Sequence, residues 1–136
     1  MRRSRPDWDA WFLEIALVVA KRATCIRRCY GTVIVQDNRI ISTGYCGSPR
    51  GATNCSESNV CKRNEMGFDP GEGYDHCVSV HAEQNAIINA DSDKMKGATI
   101  YIAGFDATTR QIVSGKPCKI CERFIKNAMI ENVITT

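Results

Sequence analysis

Two short polar motifs, each at the start of a predicted helix, constrain this fold more than any other feature of the sequence. The first places His81 and Glu83 at the head of an otherwise apolar helical pattern, VHAEQNAIINA. The second, Pro-Cys-Lys-Ile-Cys, spaces Cys118 and Cys121 so that both sulfurs lie on one face of a first helical turn. The helix dipole there favours the thiolate form that binds metals. A fold that brings both helix starts together would hold one histidine and two cysteines around a metal ion.

The donor set of His81, Cys118 and Cys121 predicts a catalytic zinc site. Structural zinc sites usually have four protein ligands, whereas catalytic sites have three and leave the fourth position for water. Glu83 lies two residues after the histidine, within reach of such a water, and we predict that it is catalytic, accepting the proton and returning it. The alternative interpretation is a structural zinc site with an incidental glutamate.

The composition limits the remaining possibilities. The chain has 136 residues, 43% hydrophobic and 24% charged, so we expect a single globular domain over residues 1–136. The formal charge of +3 is too small to indicate a nucleic-acid partner. No apolar run approaches the roughly 20 residues of a membrane span, so we also expect no membrane partner and a cytoplasmic location. The eight cysteines then indicate metal binding rather than disulfide bonds.

The order of predicted elements favours an α/β fold. Helical spacing of apolar residues predicts a first helix over residues 7–22, and GTVIVQDNRIISTGY predicts a β-hairpin that turns at Gln-Asp-Asn-Arg. Residues 46–77 are rich in Gly, Asn, Ser and Pro and predict a long irregular stretch. The two motif helices then alternate with strands predicted at 98–103 and 131–136, with a small hairpin or long loop over 104–116. This alternation predicts a sheet with helices packed against it.

The two motifs, His-x-Glu and Pro-Cys-x-x-Cys, resemble the signature of zinc-dependent nucleoside and nucleotide deaminases. The resemblance covers nearly the whole chain, through RPDWDAWFLEIALVVAKRATCIRR, GTVIVQDNRIISTGYCGSPRGATNCSE and HAEQNAIINA, and is strongest to the deoxycytidylate (dCMP) deaminases of the cytidine/deoxycytidylate deaminase superfamily. It implies a three-layer α/β/α cytidine-deaminase-like sandwich with a central mixed sheet. It also implies a zinc hydrolase that converts dCMP to dUMP and ammonia with a zinc-activated water and supplies the dTMP pathway.

Four further cysteines flank or lie within the irregular stretch: Cys25, Cys55, Cys61 and Cys77. A second, structural zinc bound there would hold together a segment with little structure of its own. The resemblance implies Cys25 and Cys55 as ligands, because they fall on zinc-binding positions of the family. Cys61 and Cys77 follow from their spacing, with His76 as an alternative to Cys77. Buried free cysteines are the alternative for the whole set.

The loop that follows the hairpin is predicted to bind substrate or effector. It is similar to the Gly-Tyr-Asn-Gly-x-Pro-x-Gly loop of dCMP deaminases, which implies a homo-oligomer, a hexamer in many members, activated by dCTP and inhibited by dTTP near this loop. The usual asparagine hydrogen-bonds the sugar in related enzymes, but a thiol replaces it here and is a poorer partner. A plain turn-rich loop is the alternative. The matching residues are Tyr45, Cys46 at the asparagine position, Gly47, Ser48, Pro49 and Arg50, followed by Asn54.

A nucleotide substrate also needs cations for its phosphate. Arg27, Arg28, Lys62 and Arg63 are the candidates, and the sequence does not choose among them. Two other functions stay open. One is deamination of tRNA adenosine or of another nucleoside, and the other is a catalytically impaired, zinc-stabilised nucleotide sensor, for which Cys46 is the supporting feature.

Overall fold

The computed structural model describes residues 3–69 and 72–136 of the protein. The strands are β1 (Arg28–Gln36), β2 (Arg39–Tyr45), β3 (Thr99–Asp106), β4 (Ile112–Val113) and β5 (Asn132–Thr135). The helices are α1 (Trp8–Ala20), α2 (Cys55–Ser58), α3 (Lys62–Glu65), α4 (Ala82–Asn89), α5 (Ser92–Met95) and α6 (Lys119–Asn127), with a 3₁₀ turn at Tyr74–His76. Every element predicted from the sequence is present, and the irregular stretch contains three single turns.

Helix α1 covers one face of the sheet. It begins after Asp7, whose Oδ1 accepts a hydrogen bond from the backbone N–H of Ala10 at 2.8 Å, as an N-cap residue does. The buried side of the helix presents Phe12 and Ala16 to strands β1 and β3, where the ring of Phe12 lies 5.1 Å from that of Tyr101. The apolar stripe predicted for residues 7–22 is therefore core.

Strands β1 and β2 form the predicted hairpin. They pair antiparallel, and the turn between them has Asp37 at φ 52° and Asn38 at φ 59°. Two successive left-handed residues are typical of the type I′ turn, whose twist matches that of the flanking strands. Asp and Asn tolerate this conformation better than most side chains, which is why the hairpin turns at this point.

The sheet is mixed. Strand order is β2-β1-β3-β4, with antiparallel pairs throughout this path, while β5 pairs with β3 in parallel. Strand β4 pairs with the far end of β3, where Gly104 lies opposite Val113, so the segment over 104–116 is the small hairpin that the sequence allowed. Strand β3 is thus the centre of the sheet.

Helices α4 and α6 cover the second face. Their buried residues Ala86 and Ile125 pack with Ile34, Ile100 and Ile102 of the central strands. Each isoleucine buried in this way contributes about 1.5–3 kcal/mol through the hydrophobic effect. With α1 on the opposite face, the architecture has three layers, and the predicted α/β/α sandwich with a central mixed sheet is confirmed.

Two glycines bring the helices unusually close to the sheet. A Cβ atom on Gly31 of β1 would lie 2.2 Å from the carbonyl oxygen of Ala16, and one on Gly44 of β2 would lie 2.3 Å from the backbone nitrogen of Ala86. Any side chain at Gly44 would push α4 away from the sheet. The backbone of β2 therefore fixes the position of the helix that carries the first polar motif. Within the described part of the chain, no helix combines the length and apolar character needed to cross a bilayer.

Candidate active site

The first motif lies at the start of α4. His81 is the residue before the helix, and its backbone N–H donates a hydrogen bond to Oε1 of Gln84 at 3.1 Å. Glu83 lies in the first turn, with only 6% of its surface exposed. A carboxylate this deeply buried needs a partner or a function, because charge is costly to remove from water.

The second motif lies at the start of α6. Pro117 ends the preceding segment, and Cys118 caps the helix by accepting a hydrogen bond on Sγ from the backbone N–H of Cys121 at 3.4 Å. Cys121 is fully buried, on the same apolar side of the helix as Ile125. The sequence therefore places one thiol at the end of the helix and the second one turn further on, inside the protein.

The two helix starts meet. Nδ1 of His81 lies 3.2 Å from Sγ of Cys121 and 3.7 Å from Sγ of Cys118. Tetrahedral zinc with Zn–S bonds of about 2.3 Å and Zn–N bonds of about 2.0 Å separates nitrogen from sulfur by about 3.5 Å, so the donor set fits zinc. Across residues 3–69 and 72–136, no other three ligand atoms from His, Cys, Asp or Glu come within 4.8 Å of one another.

The electrostatics of the donor set also call for a cation. Burial raises the pKa of the Cys121 thiol far above its usual range, and the adjacent Glu83 carboxylate and Cys118 thiol raise it further. Without a cation the Cys121 thiol would therefore resist ionisation. A bound divalent metal reverses this balance, because it stabilises the thiolates directly.

A cavity of about 210 Å³ lies against the donor set. His81, Glu83 and Cys118 form part of its lining, together with the aromatic side chains of Tyr30 and Tyr74. A small molecule in this cavity would contact both the metal-binding residues and the buried carboxylate. Neither tyrosine was predicted as a site residue, and Tyr74 lies in the irregular stretch, where no periodic pattern indicates which side chains point inward.

Four cationic side chains line the same cavity. Arg27, Arg28 and Arg63 were predicted as phosphate candidates, whereas Lys116 was not, although its position directly before the Pro-Cys-x-x-Cys motif was a usable signal. The remaining candidate, Lys62, is exposed, and its Nζ pairs with the carboxylate of Glu65 at 3.6 Å. The cavity thus combines metal donors, a carboxylate and positive charge.

The predicted nucleotide-binding loop is only partly in this cavity. Cys46 lines it, and its buried thiol accepts a hydrogen bond from the backbone N–H of Tyr30 at 3.4 Å and donates to the carbonyl of Arg28 at 3.9 Å. Gly47 pairs with Val80 through two backbone hydrogen bonds of 3.1 and 2.7 Å. All other members of the predicted set lie outside the cavity lining: Tyr45, Gly47, Ser48, Pro49, Arg50 and Asn54.

The second set of cysteines is less compact than the donor set. Cys25, Cys61 and Cys77 line the same cavity and Cys55 is buried, but no three of these four sulfurs lie within 4.8 Å of one another. Burial raises the pKa of the Cys55 thiol, and the neighbouring thiols of Cys25, Cys61 and Cys77 raise it further. The ring of His76 instead stacks on that of Phe68 at 5.1 Å.

A mixed sheet between helical layers, with a His/Cys/Cys donor set and a buried glutamate at two adjoining helix starts, defines the class of zinc-dependent deaminases. The chain belongs to the cytidine and deoxycytidylate deaminase family, since the family model for the cytidine and deoxycytidylate deaminase zinc-binding region matches residues 6–136. The donor set of the structure and the zinc-binding region of the family agree on the metal.

Curated relatives carry the name deoxycytidylate deaminase. The chain is 41% identical over 136 residues to that of Mycobacterium phage D29, covering 96% of this chain and 95% of the relative. It is 45% identical over 100 residues to that of Schizosaccharomyces pombe, covering 73% of this chain but only 31% of the relative. The chain therefore spans nearly the whole phage protein and less than a third of the yeast one.

A solved structure supports the fold. The dCMP deaminase of cyanophage S-TIM5, crystallised with dCMP and dUMP, superposes with a TM-score of 0.68 at 22% identity, covering 96% of this chain and 82% of that one. At this level of identity the likeness concerns the fold, and it agrees with the three-layer architecture described above.

Proposed function

We propose that the protein is a dCMP deaminase, which converts dCMP and water to dUMP and ammonia. The observation that carries the proposal is one cavity in which the metal donors and the buried Glu83 share the lining with four cationic side chains. A neutral nucleoside would not require this positive charge, whereas a nucleoside monophosphate does. The names of the phage and yeast relatives support the same substrate.

The residues of the site have distinct roles in this proposal. His81, Cys118 and Cys121 hold the zinc, which when bound supplies a Lewis acid that activates a water molecule for attack on C4 of the cytosine ring. The Glu83 carboxylate accepts a proton from the attacking water and delivers it to N3 of the ring as the C4–O bond forms, and it then transfers the remaining hydroxyl proton to the amine nitrogen. The C4–N bond then breaks, ammonia leaves, and the oxygen remains on C4 as the carbonyl of uracil. Burial of Glu83 keeps bulk water from competing for that proton.

The cationic side chains are proposed to hold the phosphate. Three of them line the cavity near solvent: Arg27 is half-buried, and Arg28 and Lys116 are exposed. They can therefore contact an incoming phosphate while it is still partly hydrated. Their summed charge also raises the rate at which an anionic substrate reaches the cavity. Lys62 is left out of this role because it is paired with Glu65 outside the cavity.

A second, structural zinc is proposed at Cys25, Cys55, Cys61 and Cys77, which gives one catalytic and one structural ion. Two observations support the grouping: Cys25, Cys61 and Cys77 line one cavity, and the same three thiols raise the pKa of Cys55. A bound zinc would draw the four sulfurs together, since no three of them lie within 4.8 Å of one another in the structure. The stacking of His76 on Phe68 favours Cys77 as the fourth ligand. All the thiols are free, and a reducing cytoplasm would keep them so.

Regulation by dCTP as activator and dTTP as inhibitor is proposed at the loop from Tyr45 to Asn54. The loop is hydrogen-bonded to the segment that carries the metal donor His81, because the Gly47 backbone pairs with that of Val80, the residue before His81. A ligand that displaced the loop would therefore move the donor set.

Residues 1–136 are proposed to form one deaminase domain, which supplies the dTMP pathway. The domain is proposed to assemble as a homo-oligomer, a hexamer by resemblance. The exposed Trp8 and Trp11 offer an apolar surface for that assembly.

A zinc-stabilised nucleotide sensor is the second candidate function. Cys46 favours it, because its thiol is engaged with the backbone of β1 and offers no carboxamide to a sugar. A sensor would keep the donor set and the cationic cavity but would bind nucleotides without turnover.

Steady-state ammonia release decides between the two candidates. The substrates are dCMP, CMP, deoxycytidine and a tRNA anticodon stem, measured alongside zinc content per chain. Turnover of dCMP above the other three supports the deaminase. Binding of dCTP or dTTP with zinc present and no ammonia from any substrate would instead support the sensor, and turnover of the tRNA stem alone would overturn both.

A further inference from the structure

Arg63 differs from the other cations of the cavity. It is only 9% exposed, whereas Arg27 is half-buried and Arg28 and Lys116 are exposed. Arginine is rarely this buried unless its charge is matched. Its position in a short helix of the irregular stretch makes the burial more notable, because the adjacent Lys62 is exposed.

In the part of the chain that the structure describes, no carboxylate pairs with Arg63. Its Nε donates a hydrogen bond to the backbone carbonyl of Glu72 at 2.9 Å, and its guanidinium carbon lies 4.2 Å from the centre of the Tyr74 ring. Among residues 3–69 and 72–136, no Asp or Glu oxygen lies within 4.0 Å of the guanidinium. A carbonyl and an aromatic face orient a guanidinium but only partly offset its desolvation. A buried cation that faces a cavity under these conditions is suited to an anionic ligand.

Tyr74 connects Arg63 to the metal donors. Its ring lies edge-on to the imidazole of His81, with centroids 6.0 Å apart, while its face supports the guanidinium. Gly73 makes this placement possible, because it has a φ of 68° and a Cβ there would lie 2.3 Å from the ring of Phe68. The Arg63 guanidinium and the His81 imidazole therefore contact the same aromatic ring.

We propose that Arg63, held by Tyr74 and the carbonyl of Glu72, is the residue that makes this enzyme select a nucleoside 5′-monophosphate over the free nucleoside. The inference rests on the proposed deaminase function. With Nε committed to Glu72, the terminal nitrogens of the guanidinium remain for two phosphate oxygens, the bidentate geometry that arginine provides and lysine does not. Ligand binding would then neutralise the buried charge of the free protein.

The test compares dCMP with deoxycytidine as substrates of the zinc-loaded protein. In Arg63→Ala we expect kcat/KM for dCMP to fall about 10–100-fold, mainly through KM, because a charge-assisted hydrogen bond to phosphate is lost. The value for deoxycytidine should change less than about threefold. Lys62→Ala is the matched control, since it removes the neighbouring charge outside the cavity, and both values should stay near wild type. An equal fall for both substrates in Arg63→Ala would show a structural role and overturn the proposal.

Arg63→Lys provides the second variant, because it keeps a long stem and a positive charge even where the alanine variant fails to fold. The selectivity is the ratio of kcat/KM for dCMP to kcat/KM for deoxycytidine. We expect this ratio in Arg63→Lys to lie between those of wild type and Arg63→Ala. If the alanine protein cannot be measured, the ratio in Arg63→Lys should be at least about fivefold below wild type. Unchanged selectivity in Arg63→Lys would contradict the bidentate role.

Calorimetric titration with dUMP and deoxyuridine separates this inference from the proposed function. If the wild-type protein releases no ammonia from dCMP, the deaminase proposal is refuted. The role of Arg63 is tested even then, by the difference in affinity between dUMP and deoxyuridine. Tighter binding of dUMP than of deoxyuridine, with the difference reduced in Arg63→Lys, supports the inference. Equal affinities in the wild-type protein would overturn it.

Discussion

Nδ1 of His81 and Sγ of Cys121 lie 3.2 Å apart, although 40 positions separate the two residues in the chain. Each belongs to the first turn or cap of a helix, and both helices pack on the same face of the sheet. The geometry of the donor set is therefore a product of helix packing on β1, β2 and β3. Changes at the packing surface should disturb the site as much as changes at the ligands.

Replacing Glu83 by glutamine should abolish turnover while leaving the metal in place. The carboxamide fills the same buried space but cannot carry a proton, so we expect ammonia release to fall by about 10²–10⁴-fold. Zinc content per chain, measured by atomic absorption, should equal that of wild type. Glu122→Gln is the control, because Glu122 is an exposed carboxylate in the first turn of α6. Wild-type turnover in Glu83→Gln would refute the proton-transfer role.

The close approach of α4 to the sheet can be tested at Gly44. Gly44→Ala places a methyl group where the backbone of Ala86 now lies, so we expect a loss of about 1–3 kcal/mol in unfolding free energy and a displaced donor set. Thermal unfolding and zinc affinity measure the two effects. Thr43→Ala changes the exposed neighbour on the same strand and should leave both near wild type. A stable Gly44→Ala protein with full zinc affinity would contradict this account.

The structural zinc predicts a change in metal stoichiometry. Cys55→Ser should reduce the zinc content from two ions to one and lower the melting temperature, because the irregular stretch loses its cross-link. Cys29→Ala is the matched control for metal content. It removes a buried thiol that packs with Ala20 and Phe105 in the core, so it should cost stability without losing an ion. An unchanged zinc count in Cys55→Ser would remove the basis for a second site.

The buried thiol of Cys46 predicts a specific loss of stability in alkali. Burial raises its pKa from an ordinary value of 9.0 to about 12, so the folded state keeps the proton that the unfolded chain releases above pH 9. The contribution of this neutral thiol to the free energy of unfolding is fully present below pH 9 and is lost as the pH rises towards 12. Between pH 8 and pH 10 the free energy of unfolding should fall by about 1.4 kcal/mol for this reason. Denaturant unfolding of wild type and Cys46→Ala at both pH values measures it. The two proteins should differ in the pH dependence of unfolding, and parallel curves would argue against a buried neutral thiol.

The same variant tests whether Cys46 contacts substrate. Because the thiol is bonded to the backbone at Tyr30 and Arg28, we expect kcat/KM for dCMP in Cys46→Ala to stay within about threefold of wild type. A much larger loss, with the fold intact by circular dichroism, would show that the thiol does contact the sugar.

The sequence predicted the order of the main elements, and the structure brings the three predicted metal donors, His81, Cys118 and Cys121, together. In each motif the spacing places the polar side chains, including His81 and Cys118, at the start of a helix. The apolar periodicity of the residues that follow predicts that both helices pack on the sheet. These signals are local, since each depends on residues within two turns of one another. The type I′ turn at Asp37 and Asn38 was predictable for the same reason.

The lining of the cavity could not be predicted in the same way. Lys62 and Arg63 are neighbours in a four-residue helix, and only the contacts with Glu72 and Tyr74 decide that Arg63 is the buried one. Those contacts come from an irregular segment, where no period separates inward from outward side chains. Cys46 shows the opposite case, because a residue that the sequence predicted to contact substrate has its hydrogen bonds to the backbone.

The close contact between α4 and the backbone of Gly44 means that the two parts of the cavity differ in how freely they can change. Glu83 lies on a helix that has no room to shift, so the carboxylate proposed to transfer the proton is held in a rigid part of the scaffold. Two other side chains of the cavity, Arg63 and Tyr74, come instead from short turns between Cys55 and Cys77. A library confined to those turns, with their cysteines kept, would therefore vary substrate binding while His81, Glu83, Cys118 and Cys121 stayed in place.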